Sequence, residues 1–130
     1  MIRSATLTSA LWLAGLTSNG LAQTSDTARV RAAYDSVTSL RAGYERLNGR
    51  FVTVNGIRMH YLEWGAPNGV PLVWAHGSAS NAYELRAVAP RLAQAGYRVL
   101  AVDFRGHGLT RVTDLDFSIH DIADDLIGLL

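Results

Sequence analysis

Two short apolar runs with a helical pattern between them constrain this chain more than any other feature. Pro71-Leu72-Val73-Trp74-Ala75 and Tyr97-Arg98-Val99-Leu100-Ala101-Val102 are each followed by a polar, glycine-containing turn. They lack the alternation of a half-exposed strand, as expected of strands covered on both faces. Between them Leu85, Val88, Leu92 and Ala95 recur at helical spacing up to Gly96. Strand, helix and strand in that order make a parallel pair closed by a right-handed crossover, so the fold class is α/β.

The remaining elements follow from local chemistry. Residues 25–47 predict an amphipathic helix with Val30, Tyr34, Val37, Leu40, Tyr44 and Leu47 on one face. Ser25 or Asp26 would cap it, and Asn48-Gly49 would stop it. It carries no chemistry, and is expected either to pack on the domain or to form a stalk. Arg50–Val54 and Ile57–Trp64 flank Asn55-Gly56, the pair best suited to a two-residue hairpin turn. The crossover helix is expected to open near Asn81, with Asn81 and Glu84 as a capping box, and to kink at Pro90. After a loop from Asp103 to Asp116, Ser118 and Asp121 form a second box ahead of a helix with Ile119, Ile122, Leu126 and Leu129 on its stripe.

That last helix carries no stop signal, no basic final turn and no exit loop before Leu130. In a parallel α/β protein it should cross back to another strand. The expectation is an N-terminal fragment of a longer protein.

At the other end, Met1-Ile2-Arg3-Ser4 is a basic start, Ala5–Leu16 is mostly apolar, and Gly20-Leu21-Ala22 places small residues where a signal peptidase reads. This is the layout of a secretory leader cleaved near Ala22. The apolar run falls short of the ~20 residues a bilayer requires, which argues against a stable membrane anchor. The expected organisation is a leader at 1–22, a helix or linker at 23–48 and a partial α/β domain at 49–130. The protein is expected to be exported, periplasmic or secreted.

Composition narrows the chemistry. A net charge of +1 without a basic stripe gives no footprint for nucleic acid. The absence of cysteine excludes disulfides, a thiol nucleophile and thiolate metal sites. His60, His76, His107 and His120 share no ligand spacing, so no metal is expected. The oligomeric state is open, and the expected partner is a small-molecule substrate.

Three stretches, in order, resemble the α/β-hydrolase superfamily: LVWAHGSAS after an opening hairpin, VLAVDFRGHGLT, and DFSIHDIADDL. The resemblance covers residues 50–130. It implies the N-terminal part of an α/β-hydrolase sheet, an antiparallel hairpin then parallel strand–helix–strand–helix, preceded here by the helix at 23–48. In that family one oxyanion donor comes from the loop after the third strand. By resemblance this is the backbone N–H of Ser78, with Gly77 giving the backbone close access to the substrate. His76 would support the loop through a ring hydrogen bond rather than act as a base.

The side chain of Ser78 is not the expected nucleophile, because the chain holds no G-x-S-x-G. Asp103, Arg105, Gly106, His107 and Gly108 are read as a structural turn, with Arg105 able to make a forked ion pair. Phe104 is the residue of that turn expected to face a substrate cleft. The family often places a bulky residue and a proline after His-Gly, and epoxide hydrolases and dehalogenases usually carry the proline. Ser78-Ala79 stands there instead, which lowers those two readings and leaves a plain esterase-like or C–C-bond hydrolase more open.

The resemblance implies a Ser-His-acid triad beyond residue 130, acting on esters or related acyl compounds with no cofactor. The isolated 130 residues would then be inactive. The alternative is a member of the fold that binds a small ligand without catalysis.

Overall fold

The structure, a computed structural model, describes residues 10–130, with side chains from residue 26 onward. The basic start of the expected leader lies outside the described residues. The chain divides into two compact units at Leu40/Arg41. In the first, the described residues belong to one helix, α1, which runs Ala10–Asn48 and continues into the second unit.

α1 corrects the expected start at Ser25 or Asp26, since both residues lie inside the helix. Within the first unit Val30, Tyr34, Val37 and Leu40 are between 63% and 69% exposed. Periodicity specifies an apolar face but not what covers it. No helix among the described residues is long and apolar enough to cross a membrane.

The second unit opens with the final turns of α1. Asn48 ends the helix and donates its side-chain amide to the Glu63 carbonyl at 2.8 Å. The chain passes directly into β1 (Gly49–Val54), then β2 (Ile57–Trp64). Asn55 and Gly56 have φ of 46° and 76°, the left-handed pair a type I′ turn requires. That turn sets the register, with Val54 opposite Ile57 and Gly49 opposite Leu62.

β2 also pairs antiparallel with β4 (Tyr97–Val102), and β4 pairs parallel with β3 (Val70–Trp74), giving the order β1-β2-β4-β3. β4 is the inner strand its composition predicts, with Val99 to Val102 buried. β3 is not. Val70 is 62% exposed and Leu72, Val73 and Trp74 are half-buried. The expectation of a β3 buried on both faces is therefore corrected: among the described residues it is an edge strand.

Helices cover both faces, as in α/β proteins generally. On one face Leu62, Trp64, Val99 and Ala101 pack with Ala82, Tyr83, Leu85, Ala89 and Tyr44 of α1. On the other, Val54, Met59 and Val102 pack with Val73, Phe104, Leu126 and Leu129. The crossover is two short helices rather than one kinked helix: a 3₁₀ helix at Ala82–Ala87, then α2 (Ala89–Gln94). Pro90 sits in the first turn of α2, where its missing N–H has no intrahelical partner to lose. The predicted interior kink becomes a fresh helix start.

Asn81 caps the 3₁₀ helix by accepting from the Tyr83 amide at 3.1 Å, but Glu84 does not complete the box. Its carboxylate accepts from the Ser80 hydroxyl instead, at 2.9 Å. α3 (Ile119–Leu129) carries both halves of the Ser118/Asp121 box.

Candidate functional site

Because β3 and β4 run parallel, their C-terminal ends lie side by side and deliver His76 and Asp103 to the same rim of the sheet. His76 is buried at 4% exposure. Its Nδ1 lies 2.8 Å from the Gly77 carbonyl oxygen, and its Nε2 accepts from the Phe104 amide at 3.2 Å. A carbonyl only accepts and an amide only donates, so the ring carries its hydrogen on Nδ1. With both nitrogens engaged, His76 holds the loop and has no lone pair left for a base. The Phe104 ring lies against it at 4.2 Å between centroids, and the His107 ring at 5.0 Å. Phe104 is half-buried.

The loop His76–Asn81 leaves β3 and ends at the 3₁₀ helix. Ser80 closes it by donating its amide to the Gly77 carbonyl at 3.3 Å. Ala79 has φ of 58°, a left-handed conformation uncommon without a glycine. A Cβ added at Gly77 would meet nothing within 4 Å, so the space before that backbone is open. Ser78 is exposed, and its amide donates to no acceptor among the described residues.

Asp103 is fully buried. Its Oδ1 accepts from the Ala82 amide at 2.6 Å, and its Oδ2 from the Leu109 amide at 2.9 Å and from His60 Nδ1 at 2.7 Å. Burial by itself raises its pKa, but the hydrogen bonds from His60, Ala82 and Leu109 outweigh that and leave the carboxyl below its ordinary value. Thr110 adds a second tie, donating to the Asp103 carbonyl at 2.7 Å and accepting from the His60 amide at 2.9 Å. Gly108 has φ of 51°, and a Cβ there would overlap the Asp103 carboxylate. Only glycine lets the chain pass at that distance.

Arg105 turns to the other face. Its Nε and Nη2 meet the two oxygens of Asp125 at 2.7 and 2.8 Å, and Asp125 is 1% exposed. Asn55 of the hairpin turn donates to the same carboxylate at 3.1 Å. One buried carboxylate thus joins the β1–β2 turn, the loop after β4 and α3. His107 Nδ1 reaches the Arg105 carbonyl at 3.2 Å, and Gly106, at φ 76°, turns the loop beneath Phe117.

The residue missed by sequence reasoning is His60, considered there only as a metal ligand. It is fully buried, with Nδ1 on Asp103 and Nε2 on Glu45 Oε2 at 2.9 Å. Glu45, in the last turns of α1, also accepts from the Tyr83 hydroxyl. Burial first, and then the Glu45 carboxylate, push the Tyr83 phenol well above its ordinary range. Arg41 lies over the Tyr83 ring at 4.6 Å. A histidine in a strand between Met59 and Tyr61 gives no local sign of such partners, which come from elements distant in sequence.

Two clefts share Arg105 in their lining. One is lined by Asn55, Arg105, Asp121, Asp124, Ile127 and Gly128. The other involves Arg58, Arg105 and Arg111 beside Gly56. Neither takes in Gly77, Ser78 or Phe104. No group of three potential metal ligands occurs among the described residues.

Comparison with known proteins bears on this geometry. A family model described as serine aminopeptidase, S33 matches residues 67–130. Epoxide hydrolase A of Mycobacterium tuberculosis is 42% identical over 83 residues, covering 62% of this chain and 26% of the relative. A haloalkane dehalogenase of Mycobacterium marinum is 41% identical over 68 residues, covering 49% of this chain and 23% of the relative. Among solved structures, epoxide hydrolase A of Mycobacterium thermoresistibile superposes with a TM-score of 0.59 at 37% identity, covering 63% of this chain and 26% of that one. An N-formylmaleamic acid deformylase from Pseudomonas putida gives 0.56 at 42%, covering 62% and 31%.

The chain spans about a quarter of the length of these curated relatives. Ser78-Ala79 stands in this chain where a proline is expected of epoxide hydrolases and dehalogenases, yet the curated relatives named above are an epoxide hydrolase and a haloalkane dehalogenase. Proline fixes one φ angle, whereas this loop is shaped by Ala79 and by its ties to Asp103 and Phe104.

Proposed function

Because this chain belongs to the α/β-hydrolase superfamily, we propose that residues 49–130 supply one of the two oxyanion donors of a hydrolase that works through a covalent intermediate on a small organic substrate. The observation that carries the reading is the Ser78 amide: exposed, without an acceptor, on a loop at the tip of β3 tied down at both ends. A donor fixed beforehand stabilises developing charge without reorganising at the moment of reaction. In this reading the nucleophile, its base and the orienting acid lie beyond residue 130. The 130 residues alone are then inactive.

The same donor serves two chemistries. A serine nucleophile attacking an ester or amide places the oxyanion on the substrate's own carbonyl. A carboxylate nucleophile opening an epoxide or displacing a halide first forms an enzyme ester, whose hydrolysis places the oxyanion on the enzyme. Similarity to epoxide hydrolases and a dehalogenase favours the second, and similarity to a deformylase keeps the acyl reading beside it.

The test expresses the complete coding sequence and assays an aryl ester, styrene oxide and a haloalkane. Turnover of at least one is expected. Ser78→Pro, which removes the donor, should lower kcat by about 10²–10³, while Ser78→Ala, which keeps it, should not. No turnover on any of the three, or no G-x-[SDC]-x-G downstream, overturns the reading. Export belongs to the same proposal, and an N-terminus at Gln23 on the mature protein would support it.

A further inference from the structure

The hydrogen-bonded chain Glu45–His60–Asp103 is fully formed, centred on a histidine with no exposure, and the proposed chemistry does not use it. Each ring nitrogen of His60 faces a carboxylate oxygen. With one ring nitrogen 2.7 Å from Asp103 Oδ2 and the other 2.9 Å from Glu45 Oε2, the buried ring is a rigid spacer that fixes Asp103 relative to the last turns of α1. Asp103 Oδ1 in turn takes the Ala82 amide at 2.6 Å, where the loop carrying Ser78 ends. The loop's other end is held by His76, which accepts from Phe104, the residue directly after Asp103. Both ends of the loop are thus tied to consecutive residues at the end of β4, and the left-handed Ala79 lies between them.

We propose that His60 is a positioning residue. Held by Glu45 and holding the Asp103 carboxylate against the Ala82 amide, it sets the aim of the Ser78 amide. This deepens the hydrolase reading and rests on it for the meaning of that aim. His60 touches no substrate. Its part is to keep the donor loop from relaxing out of the strained turn at Ala79, since misplacement of about 1 Å is enough to cost a large factor in rate.

The test separates positioning from activity. Amide hydrogen exchange on the whole chain should show Ala82 and Leu109 protected to the level of β4 amides, while Ser78 exchanges fast. If Ala82 exchanges as fast as Ser78 in the unaltered protein, the tie does not exist and the proposal falls, whatever any variant does.

In variants, Asn places a donor close to the ring's Nδ1. His60→Asn should therefore keep Ala82 protected, whereas His60→Leu should speed exchange at Ser80–Ala82 at least tenfold while β1 and β2 amides shift far less. A uniform acceleration across the sheet would mean a purely structural role and would overturn the proposal. In the complete enzyme, His60→Leu should lower kcat with KM little changed, and His60→Asn should restore part of it. Absence of turnover in the unaltered enzyme would sink the hydrolase reading alone, because the exchange measurements stand without it.

Discussion

Asp103 is fully buried and receives three donors, Ala82 on Oδ1 and Leu109 and His60 on Oδ2, so removing the carboxylate strands the Ala82 and Leu109 amides together. Its pH behaviour follows. The native carboxyl has a pKa below its ordinary value of 3.8, so between the two values the unfolded chain binds more protons than the folded one. The stabilisation is complete above the ordinary value and is lost as pH falls through the lowered one. Denaturant midpoints measured from pH 6 down to pH 2 should fall in the unaltered chain and fall less steeply in Asp103→Asn. At neutral pH, Asp103→Ala should cost about 3–5 kcal/mol, because the Ala82 and Leu109 amides lose their acceptor. Asp125→Ala should cost on the order of 3 kcal/mol, since it strands the Arg105 guanidinium, whose side chain is only 15% exposed. Urea unfolding checks both. The partners of Asp103 and Asp125 were legible unequally. The fork of Arg105 follows from its residue type, but its partner lies 20 residues away on a helix face that periodicity does not assign to the core.

Elements specified by adjacent residues were legible. Asn55-Gly56 forms the expected turn, Ser118 and Asp121 form the expected box, and β4 is the expected inner strand. Elements whose state depends on distant partners were not. β3 reads as doubly covered and, among the described residues, is an edge strand; α1 reads as starting at residue 25 and, among the described residues, is already helical at Ala10. Pro90 shows the difference within one helix. Its effect depends on its place in the helix, and that place is set by where the 3₁₀ segment stops. Pro90→Ala should therefore change stability by no more than about 0.5 kcal/mol, where removing a proline from a helix interior would gain about 3. Gly56→Ala at φ 76° should cost about 1 kcal/mol. Thermal melts of the two variants, read together, test the helix start and the hairpin turn.

At the scale of the whole molecule, each unit exposes apolar surface among the described residues. In the first it is the stripe from Val30 to Leu40. In the second it is the open side of β3, where Val70 is exposed. Open strand edges template pairing with other chains, and a charge on the edge suppresses it. The 130-residue chain should self-associate at micromolar concentration, and Val70→Lys should shift it toward monomer by light scattering without changing its circular dichroism. Neither the rim site nor this edge is visible in any single motif, because both arise where segments far apart in sequence meet.

The last turns of α1 bear on where a shortened recombinant version should begin. Tyr44 plugs the face of the sheet beside Tyr83, and Glu45 anchors His60 beneath it. Trimming to the first strand at Gly49, the natural choice by eye, would pull both plugs at once. A cut ahead of Arg41, where the second unit starts, leaves that seal intact.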